Sequence, residues 1–204
     1  MGMQSVQQHQ PAVARYDEPL APAWDVGRPQ RAVYELEVAG EIGHEVLDVG
    51  CGAGEHALFL AARGHVVAGV EPSARMVARA QRRARERGLS AAFVVEELTR
   101  LDRLGRRFDC AVDAGSFHRI ELSQRAEYAR ALASVVRPGG RLFVLCFGDH
   151  ERGRGGPRRV SRDELRTVLE GADHFRVDAI EATSIESRGF PGGANAWLAK
   201  ATRR

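Results

Sequence analysis

A glycine-rich turn near residue 50 constrains the fold of this chain more than any other segment. The residues Glu45-Val-Leu-Asp-Val49 predict a short buried strand, and glycine follows at positions 50, 52 and 54. The apolar pattern from His56 to Arg63 then predicts a helix that ends at Gly64. In such a strand, turn and helix, bare backbone and the helix N-terminus face a polar ligand. The segment therefore predicts an α/β sheet with a ligand site at its edge.

The alternation of strands and helices continues along the chain. A helix is predicted before Gly40, and Ser73 can cap another that runs to Arg87. Ser161-Arg-Asp-Glu164 is a capping box that opens a further short helix. Predicted strands cover residues 66–70, 92–95, 108–113, 141–147, 175–187 and 195–201, and a helix covers 123–136. We predict an α/β fold with a Rossmann-like doubly wound seven-stranded sheet, mostly parallel, with a C-terminal antiparallel hairpin.

Composition excludes several classes of protein. A chain of 204 residues with 44% hydrophobic residues is long enough for one core. A net charge of +3 is too small to indicate a nucleic-acid or membrane-surface protein, and Lys200 is the only lysine, so no P-loop lysine follows the glycines. Three separated cysteines without a CxxC motif indicate neither disulfides nor a zinc site. With no apolar leader or membrane-length run, we expect a cytoplasmic monomer or homodimer without a bound metal.

An acidic residue at the end of the second predicted strand sharpens the ligand prediction. Glu71 lies seventeen residues after Gly54, where a carboxylate can accept both hydroxyls of a ribose. The glycine turn and this acid together predict an adenosine ligand. A dinucleotide site prefers G-x-G-x-x-G, but position 55 is Glu55, whose charge would face a pyrophosphate, so NAD is the second choice.

The segment D-x-G-x-G-x-G at 48–54, with Glu71-Pro-Ser73, resembles motifs I and II of the class I S-adenosylmethionine (SAM) dependent methyltransferases. The resemblance implies SAM as cofactor and S-adenosylhomocysteine as product. It implies that Asp48 orders the turn and that Glu71, beside Pro72, holds the ribose. The turn residues Gly50, Cys51 and Gly52 would approach the methionine part. Glu97 and Leu98 would lie beside the adenine, with Glu96 as an alternative to Glu97.

Candidate residues for the methyl acceptor follow the fourth predicted strand, in Asp113-Ala-Gly-Ser-Phe-His118. Strands one and four are neighbours at the switch point of such a sheet, so this segment should border the reaction site. We predict that His118 is the general base for a phenol or thiol acceptor, and that Phe117 lines the substrate site. A histidine that only makes structural or cofactor hydrogen bonds is the alternative. Asp113 is interpreted as a strand-end or cofactor-side residue.

The stretch Trp24-Asp-Val-Gly-Arg-Pro29 resembles a signature of the thiol, halide and thiopurine methyltransferases, whose N-terminal segment folds over SAM. Residues 1–15 lack apolar periodicity and predict a disordered tail, and the absence of a linker or second core predicts one domain over 16–204. The resemblance implies a lid at 16–40. Trp24 and Arg28 would then contact the cofactor, and Tyr16 the substrate. An alternative is that Trp24 only anchors the segment to the core.

Four further motifs extend the likeness. The segment 113–118, Leu145-Cys-Phe147, Gly156-Pro-Arg-Arg-Val160 and Gly193-Ala-Asn-Ala-Trp197 resemble a bacterial branch that methylates small aromatic hydroxyls such as hydroxyquinolines, with S-methylating relatives. The likeness implies that the loop at 148–160 covers the acceptor, with Arg158 or Arg159 near it. We expect O-methylation of a small phenol, quinol or hydroxyquinoline. The alternatives are S-methylation of thiols, methylation of halide or metalloid ions, and an RNA methyltransferase or SAM sensor.

Overall fold

The computed structural model describes residues 23–152, 156–188 and 190–204. The predicted tail at 1–15 and Tyr16 lie outside these residues. The described helices are α1 Arg31–Val38, α2 Glu55–Ala61, α3 Ala74–Arg87, α4 Arg125–Val135 and α5 Arg162–Glu170. The described strands are β1 Glu45–Val49, β2 Val66–Glu71, β3 Ala92–Val95, β4 Phe108–Ala114, β5 Val136–Phe147, β6 Phe175–Ser187 and β7 Phe190–Arg203.

The strands form one seven-stranded sheet in the order β3-β2-β1-β4-β5-β7-β6. The first five strands are parallel, and β7 runs antiparallel between β5 and β6. The predicted fold class is therefore confirmed. The strand order reverses between β1 and β4, so the carboxyl ends of these two strands border the crevice in which such sheets bind ligands.

Both faces of the sheet are covered, which explains why its central strands are apolar throughout. Helices α1, α2 and α3 pack on one face around residues such as Val46, and α4 and α5 pack on the other around Leu47 and Val49. Neighbouring residues of one strand thus enter opposite halves of the core. Within the described ranges, none of the helices has the length and apolar character needed to cross a membrane.

The predicted helix caps are present. The hydroxyl of Ser73 accepts a hydrogen bond from the Met76 backbone N–H at 3.4 Å, and Gly88 ends α3 with a φ of 63°. The hydroxyl of Ser161 accepts from the Glu164 N–H at 3.1 Å at the start of α5. Each cap satisfies a backbone group that the first or last turn leaves without a helical partner.

The connection between α4 and β5 differs from the prediction. β5 begins at Val136, directly after α4, whereas the sequence predicted a helix to residue 136 and a strand only from Arg141. The extra residues are absorbed by a register shift opposite Phe108 and Cys110. Gly140 permits this bulge, because a Cβ there would lie 2.8 Å from the Asp109 carbonyl oxygen.

Candidate active site

The glycine turn joins β1 to α2 and folds back against the end of β2. The backbone N–H groups of Gly50 and Cys51 donate to the Val70 carbonyl at 2.8 and 3.0 Å. Gly50 has a φ of 69° and Gly52 a φ of 53°, a region that glycine adopts without steric cost. A Cβ at Gly50 would lie 1.8 Å from the Ser116 hydroxyl oxygen. The turn therefore requires glycine both for its conformation and for its contact with the loop after β4.

Asp48 fixes the helix that follows the turn. Its buried carboxylate accepts a hydrogen bond from the Ala57 backbone N–H at 3.0 Å, in the first turn of α2. This contact supports the ordering role that the resemblance implies for Asp48, which stays a prediction. Burial, with smaller contributions from the charges of Asp113 and Glu71, raises the pKa of Asp48 to about 7.

Glu71 connects the ends of β1 and β2. One carboxylate oxygen accepts from the Gly52 N–H at 3.2 Å, and the other accepts from the Ser73 N–H at 3.1 Å. Burial raises the pKa of Glu71 although both hydrogen bonds oppose the shift. Each carboxylate oxygen has a second lone pair. The side chain can therefore accept two hydroxyl groups without giving up its backbone contacts.

The residues predicted to lie beside an adenine border the same turn. The Cδ1 atom of Leu98 lies 3.5 Å from the Cβ position at Gly50. Glu96 accepts a hydrogen bond from the Glu97 N–H at 2.9 Å and pairs with Arg103 at 3.6 Å. Glu97 is exposed, and its charge contributes to the raised pKa of Glu71. The geometry therefore favours Glu97 over Glu96. Pro72 is half-buried.

Two predicted cofactor residues direct their side chains into the protein. A Cβ at Gly69 would lie 2.8 Å from the Cys51 sulfur, so the thiol packs against β2 and only the backbone of Cys51 borders the turn surface. The Asp113 carboxylate accepts from the Ser116 N–H at 2.6 Å and from the Tyr128 hydroxyl at 2.7 Å. Burial raises the pKa of Asp113 to about 6. Asp113 thus shapes the loop after β4, and a direct cofactor contact stays a prediction.

Phe117 belongs to the core. Its side chain has 0% exposure, its ring lies 6.3 Å from that of Tyr128, and the Arg125 guanidinium lies 4.5 Å from its centroid. The structure does not support the prediction that Phe117 lines the substrate site, because the ring has no accessible surface.

His118 is buried against the end of β5. The Phe147 backbone N–H donates to its Nδ1 at 3.4 Å, so the neutral ring carries its hydrogen on Nε2. Burial, with the nearby charges of Arg119, Arg125 and Arg159, lowers the pKa of His118 to about 3. A general base works best with a pKa near the operating pH. The structure therefore does not support the predicted general-base role.

His118 instead belongs to an aromatic wall, which we define as His118, Phe147, Phe190 and Ile185. The ring of Phe147 lies 5.0 Å from that of His118 and 5.5 Å from that of Phe190. Ile185 and His118 each approach the Cβ position of Gly115 to 3.7 Å. The aromatic wall therefore lies at the carboxyl ends of β4 and β5, one residue from the Ser116 contact with the glycine turn. Sequence reasoning missed Ile185 and Phe190.

The two predicted loop arginines have different surroundings. Arg158 donates two hydrogen bonds to Glu164 at 2.7 and 3.0 Å, and buried Arg125 pairs with the same carboxylate. Arg158 therefore fastens the loop to α5. The Arg159 guanidinium lies over Phe147, 5.3 Å from the ring centroid. Of the two predicted arginines, the structure places Arg159 at the aromatic wall.

The described part of the N-terminal segment, residues 23–30, packs over the glycine turn. A Cβ at Gly52 would lie 2.7 Å from the Trp24 ring, so the indole covers this residue. Buried Asp25 pairs with Arg83 at 3.0 Å and with Arg79 at 3.2 Å, both on α3. The segment is therefore anchored to α3 through Asp25 and also covers the glycine turn through Trp24.

Arg28 lies on the outer side of this segment. Its guanidinium pairs with Glu186 at 2.9 Å and is 70% exposed. An open cleft of about 430 Å³ lies beside it and is lined by Arg28, Pro29, Arg31, Tyr34, Phe59 and Glu186. The structure does not support the prediction that Arg28 contacts the cofactor.

The charge of Glu55 does not face the glycine turn, as the sequence predicted that it would. This buried carboxylate pairs with Arg83 at 2.7 Å and with Arg87 at 2.8 Å. Its charge is directed at α3 and neutralised there. The expected repulsion between Glu55 and a pyrophosphate is therefore absent, and the missing glycine at position 55 is what remains of the argument against a dinucleotide.

The chemistry of these groups fits SAM. Three buried carboxylates with raised pKa values, those of Asp48, Glu71 and Asp113, lie at one edge of the sheet. Such a site favours a cationic ligand, because an added positive charge stabilises the ionised carboxylates. Glu71 can accept the ribose hydroxyls, and Leu98 offers an apolar contact to the base.

Comparison with known proteins agrees with this geometry. A family model described as "Methyltransferase domain" matches residues 46–140. The 2-heptyl-1-hydroxyquinolin-4(1H)-one methyltransferase of Mycobacteroides abscessus is 30% identical over 171 residues, which cover 82% of this chain and 74% of the relative. A protein of Arabidopsis thaliana described as "Probable thiol methyltransferase 2" is 28% identical over 152 residues, which cover 73% and 67% of the two chains.

Solved structures have the same fold. One, described as "Conversion of a Disulfide Bond into a Thioacetal Group during Echinomycin Biosynthesis", has a TM-score of 0.82 and 31% identity, with coverage of 94% of this chain and 89% of the other. Magnesium protoporphyrin IX methyltransferase from Synechocystis PCC 6803, crystallised with bound SAM, has a TM-score of 0.66 and 23% identity, with coverage of 85% and 76%. The second likeness concerns the fold alone.

Proposed function

Because the chain belongs to the SAM-dependent methyltransferases, we propose that it methylates the hydroxyl oxygen of a small aromatic molecule of the hydroxyquinoline, quinol or phenol type. The observation that carries this proposal is the aromatic wall beside the glycine turn. The name of the relative from Mycobacteroides abscessus supports the same acceptor class.

The cofactor contacts follow from the turn. Glu71 accepts the ribose hydroxyls, Leu98 and Glu97 border the adenine, and the backbone of residues 50–52 faces the methionine part. When bound, SAM supplies a methyl group on a positively charged sulfur. Trp24 covers Gly52 and keeps water from this part of the turn. The buried carboxylates of Asp48 and Glu71 complement the positive charge.

The aromatic wall positions the acceptor. Edge-to-face contacts between aromatic rings contribute about 0.5–1.5 kcal/mol each beyond the burial of apolar area. The rings of His118, Phe147 and Phe190 offer such contacts to a flat molecule. In an in-line displacement the enzyme acts mainly by alignment of the two reactants. A planar acceptor held against these rings next to the glycine turn meets that requirement.

The proposal includes a small-molecule acceptor and a cytoplasmic location. The free, buried cysteines Cys51, Cys110 and Cys146 are typical of a reducing compartment.

S-methylation of a small thiol is a second candidate, and a specific observation favours it. The solved structure that concerns a disulfide and a thioacetal group matches 94% of this chain at 31% identity. The aromatic wall would accept a planar thiol as readily as a phenol. The acceptor atom, oxygen or sulfur, is therefore what an experiment must distinguish.

Methyl transfer from isotope-labelled SAM to a mixed panel tests the proposal. The panel contains hydroxyquinolines, phenols, quinols and small thiols. We expect labelled product on an aromatic hydroxyl, and we expect its loss in Glu71→Ala. The matched control is Glu96→Ala, which removes a neighbouring carboxylate that pairs with Arg103 and should retain the activity. Product on thiols alone would favour the second candidate. No product, while S-adenosylhomocysteine still binds, would contradict the proposed acceptor class.

A further inference from the structure

We propose that the acceptor is methylated as its anion, that Arg159 selects this anion, and that none of the described side chains at the aromatic wall acts as general base. The inference rests on the proposed function, since it concerns the acceptor of the same reaction. It narrows the substrate class to aromatic hydroxyls, or thiols, that are acidic enough to ionise near neutral pH.

The groups that could remove a proton near the aromatic wall are already engaged. His118 accepts the Phe147 N–H at Nδ1, and its other ring nitrogen carries hydrogen. Asp113 accepts hydrogen bonds from the hydroxyl of Tyr128 and from the backbone of the loop after β4. Tyr128 is itself fully buried, and its hydroxyl donates a hydrogen bond to Asp113. These contacts leave none of His118, Asp113 and Tyr128 placed as a base for an acceptor at the aromatic wall.

Positive charge, by contrast, is concentrated at the wall. Burial is the main cause of the lowered pKa of His118, and the charges of Arg119, Arg125 and Arg159 add to it. Arg125 shares the Glu164 carboxylate with Arg158, which offsets part of its charge. Arg159 lies over Phe147, whose ring contacts both His118 and Phe190. Positive charge that disfavours a protonated imidazole also favours an acceptor anion at the same place.

The backbone on either side fixes the place of Arg159. On one side, Arg158 is fastened to Glu164. On the other, the Val160 N–H donates to the Phe147 carbonyl at 3.0 Å, and the Val160 carbonyl accepts from the Asp149 N–H at 3.0 Å. Arg159 itself donates to the Pro157 carbonyl. A charge held by such contacts is preorganised, so it can act without reorganisation during the reaction.

The chemical step then balances without a base. The acceptor releases its proton to solvent as it binds. A lone pair of the resulting oxyanion forms the bond to the methyl carbon, the carbon–sulfur bond of SAM breaks, and its electron pair remains on sulfur. One positive and one negative charge disappear, and the products are a neutral methyl ether and a neutral thioether. For a thiolate the same sequence gives a methyl thioether.

The pKa of a bound acceptor tests the inference directly. The probe is 2-heptyl-1-hydroxyquinolin-4(1H)-one, whose ultraviolet absorption changes on ionisation, bound in the complex with S-adenosylhomocysteine. We expect its pKa in the wild-type complex to fall by about one unit or more, which is a tenfold or larger preference for the anion. Arg159→Gln should remove most of this shift, and Arg159→Lys should keep part of it.

Arg152→Gln is the matched control, since Arg152 is an exposed residue of the same loop and should leave the shift intact. An unshifted acceptor pKa in the wild-type complex, or a full shift in folded Arg159→Gln, would overturn the inference. If Arg159→Gln does not fold, Arg159→Lys and the wild-type titration still decide it. Methylation of aromatic hydroxyls is measured separately, so the inference can fail while the proposed function stands, whereas absence of methylation defeats both.

Discussion

The side-chain amide of Gln30 forms two hydrogen bonds with the backbone of Glu186: its Nε2 donates to the carbonyl at 3.0 Å and its Oε1 accepts from the N–H at 2.7 Å. The Gln30 backbone N–H also donates to Nε2 of His56 at 3.1 Å. The buried amide thus pairs with the end of β6 as a neighbouring strand would. Through it, the segment that carries Trp24 is attached to both α2 and the β6–β7 hairpin.

Gln30→Ala should loosen this attachment. Loss of the two hydrogen bonds leaves buried backbone groups of Glu186 without their partner, which costs about 1–3 kcal/mol. We expect a lower Tm and weaker binding of S-adenosylhomocysteine, measured by calorimetry. Gln30→Glu is a second variant: it keeps the acceptor but places a buried carboxylate against the Glu186 carbonyl, so its Tm should fall at least as far as that of Gln30→Ala. An unchanged Tm in Gln30→Ala would show that the amide does not hold the segment.

Binding of SAM should release protons. The pKa is about 7 for Asp48 and about 6 for Asp113, and the pKa of Glu71 is raised. Near pH 6, a fraction of these carboxyl groups is therefore protonated. A cationic ligand lowers these pKa values, so protons leave on binding and affinity rises with pH through this range. Calorimetric titrations at pH 6 in two buffers of different ionisation enthalpy measure the number released. Equal heats in both buffers would contradict the expectation.

Asp48→Asn should change the pH dependence of stability. The folded pKa of about 7 lies above the ordinary value of 3.8, so the folded state binds more protons than the unfolded state between these values. Stability is therefore lost as pH rises through this window. Asparagine keeps an acceptor for the Ala57 N–H and does not ionise. Between pH 5 and pH 8, the free energy of unfolding of the variant should rise by ~1–3 kcal/mol relative to that of the wild type, as measured by urea unfolding. A constant difference would refute this reading.

His118→Gln should retain most of the turnover. Loss of a true general base lowers rates by about 10²- to 10⁴-fold. Because the pKa of His118 is about 3, its ring is already neutral above pH 5, and we expect kcat to fall less than about fivefold. The apparent pKa of the rising limb of kcat/KM against pH should be the same in the variant and the wild type. It should change with the pKa of the acceptor when different acceptors are compared. A hundredfold loss together with a lost limb would restore the general-base role.

The cofactor side of the site could be predicted from the sequence because residues close together in the chain form it. Asp48, the three glycines and Glu71 occupy the ends of two consecutive strands, and short-range chemistry decides their geometry. The same holds for the helices that Ser73 and Ser161 cap. Glu55 was misread because its partners, Arg83 and Arg87, lie on another helix.

The acceptor side could be predicted less completely because segments that are far apart in the sequence form it. Phe147, Ile185 and Phe190 meet through the register of β5, β6 and β7, which no local pattern encodes. Phe117 and His118 are adjacent in the chain, and a single helical turn buries the first in the core and places the second at the wall. Which of Arg158 and Arg159 reaches the wall depends on Glu164 of α5.

A direct comparison of an oxygen acceptor with a sulfur acceptor tests the proposed O-methylation. A hydroxyquinolone and its thiol counterpart, which share ring, substituents and shape, are supplied separately with SAM, and kcat/KM is measured for each. The position of the transferred methyl group is read by NMR. We expect the higher kcat/KM on the hydroxyl, with the methyl group on oxygen. A higher kcat/KM on the thiol, with little or no methyl ether, would contradict it and make the protein an S-methyltransferase.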